Sequence, residues 1–159
     1  MAESWASRRA RWQFNWFPAY RGTGARVEYI AADWMEVRVR LRLWWRTRNY
    51  VGTIFGGSLY GAVDPMYMLM FMRLLGPDFI VWDKAASIRF LKPGRSTLRA
   101  TFLLDAATVE RVRAEVIRLG RLDQDFDVML VDEAGVPHAT VRKTIYFRWK
   151  PFAGAQGRA

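Results

Sequence analysis

The sequence predicts an α+β protein, with an antiparallel sheet of about six strands wrapped around one long central helix. Three observations carry this. Strand-like segments come in pairs rather than in regular alternation with helices, which argues against a parallel sheet. Residues 36–43 alternate apolar and charged, with Val37, Val39, Leu41 and Leu43 in phase, as a half-buried strand should. Residues 56–75 are apolar around most of a helix circumference. A sheet can cover one side of such a helix, and something else must cover the other.

In chain order, residues 1–24 read as a helical extension. Trp5, Trp12 and Trp16 fall near one face of a helix over 5–17, with Arg8, Arg9 and Arg11 around them. That face is expected to pack on the protein's own sheet, a membrane-surface helix being the alternative. Strands over 27–31 and 36–43 follow, then a loop over 46–55, the apolar helix, and a strand over 79–91. Lys92-Pro93-Gly94-Arg95 is a turn before a strand over 97–104. Asp105 caps a helix that Gly120 ends, with Val109, Val112, Val116 and Leu119 as its inward stripe. Arg111 and Glu115 stand four apart on its other face. Strands over 126–131 and 141–149, turned around Glu133-Ala134-Gly135, complete the fold, and residues 151–159 form a frayed tail. No linker or repeat divides the 159 residues, so 1–159 is one domain.

Composition narrows the chemistry. There is no Cys and a single His, His138, which excludes thiolate nucleophiles, disulfides and Cys-ligated zinc and leaves no His cluster. No resident metal or cofactor is expected. A formal net charge of +10 attracts nucleic acid, anionic lipid or a phosphate-rich small molecule without choosing among them. No helix-turn-helix or aromatic RNA-binding motif supports specific nucleic-acid recognition. No apolar run is long enough to span a bilayer and the N-terminus is not a signal peptide, so the expected location is the cytoplasm. Asp123, Asp125 and Asp127 begin like a calcium loop, but Val128 stands where the loop needs Gly and no acidic twelfth position follows. His138 has no catalytic partner nearby in sequence and reads as structural.

The segment that carries chemistry runs Asn49-Tyr50-Val51-Gly52-Thr53-Ile54-Phe55-Gly56-Gly57-Ser58-Leu59-Tyr60-Gly61-Ala62-Val63-Asp64. It resembles the signature of the hotdog-fold thioesterases: Asn, then Gly-Thr, His and Gly-Gly, then an apolar helix with Asp in its second turn. Every spacing matches, with Phe55 in place of the family's His. Ile88-Arg89-Phe90-Leu91-Lys92-Pro93 resembles the strand-plus-Pro element of the same fold. Phe55 to Tyr60 and Val81 to Phe90 are most similar to a hotdog subfamily known as a domain of unknown function. The resemblance implies a hotdog fold, acyl-CoA thioesterase activity on a substrate that brings its own coenzyme A, and a site at a dimer interface.

The residues themselves allow that chemistry. The first N–H groups of a helix have no intrahelical partner and sit at the positive end of its dipole. Gly56 and Gly57 there can receive a thioester oxygen, glycine allowing close approach. Asn49 can donate to the same oxygen or brace the loop. Asp64 can attack the thioester or activate water. Beside Val63, Met66 and Tyr67 it is expected to be poorly solvated, with its pKa raised. Asp64 also precedes Pro65, the pattern of an N-cap followed by proline at a helix start, so a capping role stands beside the catalytic one. Gly61 would ease a break there. The resemblance puts Asp83 where some hotdog thioesterases carry a water-positioning Ser or Thr; alternation sends Asp83 and Lys84 to opposite faces. Arg89, Lys92 and Arg95 are candidates for coenzyme A phosphates.

Asp64 follows Gly57 by seven positions, about 10 Å along a helix, too far for both to touch one carbonyl. Two such helices packed antiparallel about a two-fold axis would bring Asp64 of one chain to the Gly pair of the other. Tyr60, Tyr67, Met68, Phe71 and Leu75, expected on the uncovered side of the helix, would form the buried contact. A homodimer or a tetramer is expected, with no stable monomer. A non-catalytic acyl-CoA- or lipid-binding hotdog protein is the alternative, motivated by Phe55 and by Pro65 beside Asp64.

Overall fold

The computed structural model describes residues 2–151; the expected tail from 152 onward lies outside them. Its elements are α1 (Trp5–Trp16), α2 (Pro18–Gly22), β1 (Ala25–Ile30), β2 (Glu36–Leu41), α3 (Gly56–Val63), α4 (Met66–Leu75), β3 (Phe79–Phe90), β4 (Leu98–Leu103), α5 (Ala106–Leu119), β5 (Arg121–Val131) and β6 (Pro137–Trp149). The strands form one sheet in the order β1-β2-β4-β5-β6-β3, and the pairings are antiparallel. The helical path α3–α4 lies against the sheet's inner face, where Leu59, Ala62, Val63, Met70 and Phe71 meet Val39, Leu41, Leu98, Phe102, Ile145 and Phe147 in one core. This is the hotdog architecture: a curved antiparallel sheet around a long central helix.

Local signals formed as read. Val37, Val39 and Leu41 are buried. The Asp105 carboxylate accepts from the Thr108 N–H, and Gly120 ends α5 in the left-handed region at φ 78°. Two strands run further than alternation suggested: β5 begins at Arg121 and β6 at Pro137. The longer sheet explains one correction. Tyr67, Phe71 and Leu75, expected on an uncovered side of the helix, are buried within this chain. Tyr67 packs against Phe102 and Phe126, and Phe71 against Phe126 and Phe147. Arg113 of α5 closes the far end by donating to the Leu74 and Leu75 carbonyls. The central helix therefore leaves no large bare face.

A second correction concerns α1. Its inward residues are Ser7, Ala10 and Phe14, whereas Trp5, Trp12 and Trp16 are exposed by 76%, 63% and 56%. The helix lies along the otherwise free edge of β1. Asn15 both donates to the Val27 carbonyl and accepts from the Val27 N–H, and Glu3 accepts from the Ile30 N–H. The anchor is thus polar and edge-covering, which leaves the tryptophans outside.

Candidate active site

The helical path breaks where Asp64 and Pro65 interrupt it. Pro65 has no N–H to return to Gly61, so α3 ends at Val63 and α4 restarts at Met66. Asp64 keeps helical dihedrals, φ −49° and ψ −56°, and α4 begins without a side-chain cap. The capping reading of Asp64 is therefore overturned: its carboxylate does not turn back on the backbone. Gly61 is required for another reason, since a Cβ there would come within 2.7 Å of Thr23. Tyr20 of α2 donates to the Ala62 carbonyl at the break.

The Asp64 carboxylate turns to β6, where Lys143 Nζ donates to Oδ1 at 2.6 Å. The Tyr60 hydroxyl, one turn earlier on α3, donates to the same oxygen at 2.5 Å and accepts from Lys143 at 3.2 Å. Lys143 is wholly enclosed, while the Asp64 side chain keeps 41% of its surface. The poor solvation expected at Asp64 falls on Asp83 instead, whose side chain is 19% exposed. Asp83 Oδ1 lies 3.2 Å from the same Nζ, but outside hydrogen-bonding alignment, and it has no hydrogen bond among the described residues.

Burial holds the Asp83 carboxyl above its ordinary range, against the pull of Lys143. Burial also opposes the Lys143 charge, but the Asp64 hydrogen bond and the charges of Asp83 and Asp64 outweigh it and leave the ammonium above its usual range. For Tyr60, burial and the bond to Asp64 push the phenol up, so it remains a donor. Among the described residues the bonds to Asp64 all fall on Oδ1. One carboxylate oxygen is fixed by two donors and the other is left to the exposed side.

The other end of α3 is built differently. Phe55 stands at the N-cap with no side-chain cap, and the Ser58 and Leu59 N–H groups are already bonded to the Phe55 carbonyl. The Gly56 and Gly57 N–H groups are the remaining donors of this helix start. Both glycines lie close to exposed aromatic rings. A Cβ on Gly57 would meet the Phe55 ring at 2.4 Å, and one on Gly56 would meet the Phe90 ring at 3.1 Å. A cleft of about 370 Å³ opens here between Asn49, Thr53, Gly56, Leu59, Phe90 and Lys92.

Asn49 braces the loop. Its amide donates to the Thr53 hydroxyl, and its oxygen accepts from the Val51 and Thr53 N–H groups. Of the three basic candidates, Lys92 lines this cleft; Arg89 and Arg95 are exposed and do not. Lys84 is the extra residue of a bulge between Asp83 and Ala85 and pairs on the outer surface with Asp123 at 2.5 Å, so it takes no part in the Asp83 cluster.

The structure thus joins Asp64 to Asp83, and Gly56 to Asn49 and Lys92, but does not join the two groups within one chain. The residue that sequence reasoning missed is Lys143. Its signal was present: it lies in phase with Val141, Ile145 and Phe147, which are all buried, and a lysine at an inward strand position needs counter-charges. His138 is structural as expected, bonded to the Pro93 carbonyl and to Asp132. Asp123, Asp125 and Asp127 are spent on Lys84, Thr144 and Arg142. No metal-binding cluster occurs among the described residues, and none of their helices is long and apolar enough to cross a membrane.

Comparison with known proteins agrees with this architecture. The family model described as "Domain of unknown function (DUF4442)" matches residues 8–147. A protein of unknown function from Pseudomonas aeruginosa, called "Probable Thioesterase", superposes with a TM-score of 0.79 at 20% identity, over 93% of this chain and 98% of that one. A protein of unknown function from Chlorobaculum tepidum gives 0.73 at 16% identity, over 91% and 94% of the two chains. A thioesterase from Haemophilus influenzae gives 0.67 at 14% identity, over 93% and 94%. Likeness at these identities establishes a shared fold. No curated protein matches the chain.

Proposed function

The chain belongs to the DUF4442 family, and from that premise we propose that it is an acyl-CoA thioesterase, hydrolysing an acyl-CoA to a carboxylic acid and coenzyme A. One observation carries the proposal: a carboxylate held by a buried cation stands at one end of α3 and an uncapped Gly-Gly start at the other, and we read these as the two halves of a hydrolytic site. A second copy of the chain, packed antiparallel, brings them together. The hotdog neighbours described as thioesterases support the same reading.

In this reading the Gly56 and Gly57 N–H groups hold the thioester oxygen of a substrate lying in the cleft. The free oxygen of the partner's Asp64 takes a proton from water as that water adds to the carbonyl carbon. The tetrahedral adduct collapses, the C–S bond breaks, and the sulfur leaves with the proton, giving acid and thiol. Lys143 and Tyr60 hold Asp64 in orientation through its other oxygen. Asp83, whose buried Oδ1 faces Lys143 at 3.2 Å, supports Asp64 through that shared cation. Lys92 meets a coenzyme A phosphate at the cleft rim.

The place for the second copy is the free edge of β3. That strand pairs with β6 on one side and exposes Lys84, Ala85, Ala86 and Ser87, with Trp82, Phe90 and Phe55 also exposed. An unpaired edge with apolar flanks invites a partner strand. This replaces the helix face as the expected contact.

Free-thiol release across acyl-CoAs of different chain length is the first test, with turnover expected and lost in Asp64→Asn. Mixed oligomers are the second. Asp64→Asn and Gly57→Val, each inactive alone, should regain about a quarter of the activity when refolded together, because half of the mixed sites draw intact residues from different chains. No turnover on any acyl-CoA would leave the alternative, an acyl-CoA-binding protein without catalysis, recognised by tight binding of a thioester that stays intact.

A further inference from the structure

Helix α1 turns its three tryptophans away from the sheet. At about 100° per residue, Trp5, Trp12 and Trp16 fall within an arc of about 40°, and Ser7, Ala10 and Phe14, which face the sheet, lie opposite. Three tryptophans in a row are exposed by more than half. Such surface costs free energy in water and is not kept for solubility.

What flanks the row is cationic. No Asp or Glu occurs between Trp5 and Gly24, whereas Arg8, Arg9, Arg11 and Arg21 do. Arg11 is committed to Glu3 at 2.8 Å. The others are exposed, and two lie over the rings themselves, Arg9 at 6.0 Å from the Trp5 centroid and Arg21 at 4.8 Å from that of Trp16. Arginine beside outward tryptophan is suited to the headgroup layer, where the indole sits at the apolar boundary and the guanidinium meets phosphate.

The position in the fold points the same way. Helix α1 covers the β1 edge, at the opposite end of the sheet from β3. The row is therefore remote from the edge that remains open for a second copy. On the inward side of α1 lies an almost wholly apolar cleft of about 330 Å³, lined by Phe14, Phe17, Trp34 and Leu69. An adjoining cleft of about 520 Å³ has Trp5, Arg9 and Arg73 at its walls. The arginines at those walls add to the positive charge on this side of the molecule.

We infer that α1 docks this protein on the surface of an anionic phospholipid bilayer, with Trp5, Trp12 and Trp16 in the headgroup boundary and Arg8, Arg9 and Arg21 on the phosphates. The inference does not depend on the hydrolytic reading and survives its failure.

The test uses the full chain with vesicles of phosphatidylcholine alone or mixed with phosphatidylglycerol. Co-sedimentation is expected with the mixed vesicles, together with quenching of tryptophan emission by brominated lipid. Trp5→Ser, Trp12→Ser, Trp16→Ser combined should weaken binding by at least about tenfold with an unchanged far-UV spectrum. Trp12→Ser alone gives a smaller loss should the triple variant misfold. Arg8→Gln with Arg9→Gln and Arg21→Gln should abolish the preference for anionic vesicles. Three results overturn the inference: no sedimentation of the unmodified protein; sedimentation that ignores the tryptophans and vanishes with salt, which is the net charge alone; or a change of oligomeric state in the tryptophan variants without vesicles, which makes the row a contact between copies.

Discussion

The two ends of α3 are made of opposite materials. At Asp64 a buried lysine, a phenol and two carboxylates are packed together with little freedom. At Gly56 there is a cleft, two small residues and backbone donors, with no side chain turned in to satisfy them. One end is stabilised by its own partners, and the other keeps backbone donors beside an open cleft. Charge is fixed by the core at one end, whereas the donors at the other stay at the surface.

The closed end should suffer most from Lys143→Met. It strands the half-buried Asp83 carboxylate and frees Asp64, at a cost of about 3 kcal/mol in urea unfolding. Adding Asp83→Leu should restore most of the loss, since two opposite buried charges replaced by apolar groups are nearly neutral. A single variant as stable as the parent would mean that Lys143 is not charged in the fold.

Asp64→Asn should separate chemistry from stability. The amide still accepts from Lys143 and Tyr60 and Asp83 still faces the buried ammonium, so the stability loss should stay below that of Lys143→Met, while acyl-CoA hydrolysis drops by at least about 100-fold. Equal losses in both measurements would make Asp64 a structural counter-ion only. At the open end, Asn49→Ala removes three loop hydrogen bonds and should cost about 1–2 kcal/mol, with KM rising more than kcat falls. A fall confined to kcat would instead put Asn49 on the reacting oxygen.

The smallest effect is a slope. Asp83 is held above its ordinary 3.8 by burial, so the folded state keeps a proton that the unfolded chain has released. Stability should therefore fall as pH rises from about 3.8 through the higher folded value, and Asp83→Asn should flatten that limb. An unchanged limb would assign it to another carboxylate.

The open end was legible in the sequence because its chemistry is local. Gly56-Gly57 at a helix start, Asn49 and Thr53 in one loop, and Lys92 just after β3 all follow from short spacings. The closed end was half legible. Asp64 stood out by its place in the helix, but its partner is Lys143, 79 residues away, and only the register of β6 brings the two together. The Trp5, Trp12, Trp16 stripe shows the same limit from another side. Periodicity located the face and could not tell which way it turned, because the anchoring is done by Asn15 and Glu3 on the β1 edge, polar residues that carry no periodic signal.

By itself the sequence determined the α+β class, the strand alternation, the caps at Asp105 and Gly120, and the glycine-lined helix start, all set by neighbours within a few residues. Tertiary structure alone decided that Tyr67 and Phe71 are buried within one chain, that Asp64 pairs with Lys143 instead of capping a helix, and that α1 turns its tryptophans outward. The physical reason is that burial and ion pairing depend on which distant strand lies alongside, and a one-dimensional pattern fixes a face without fixing what covers it.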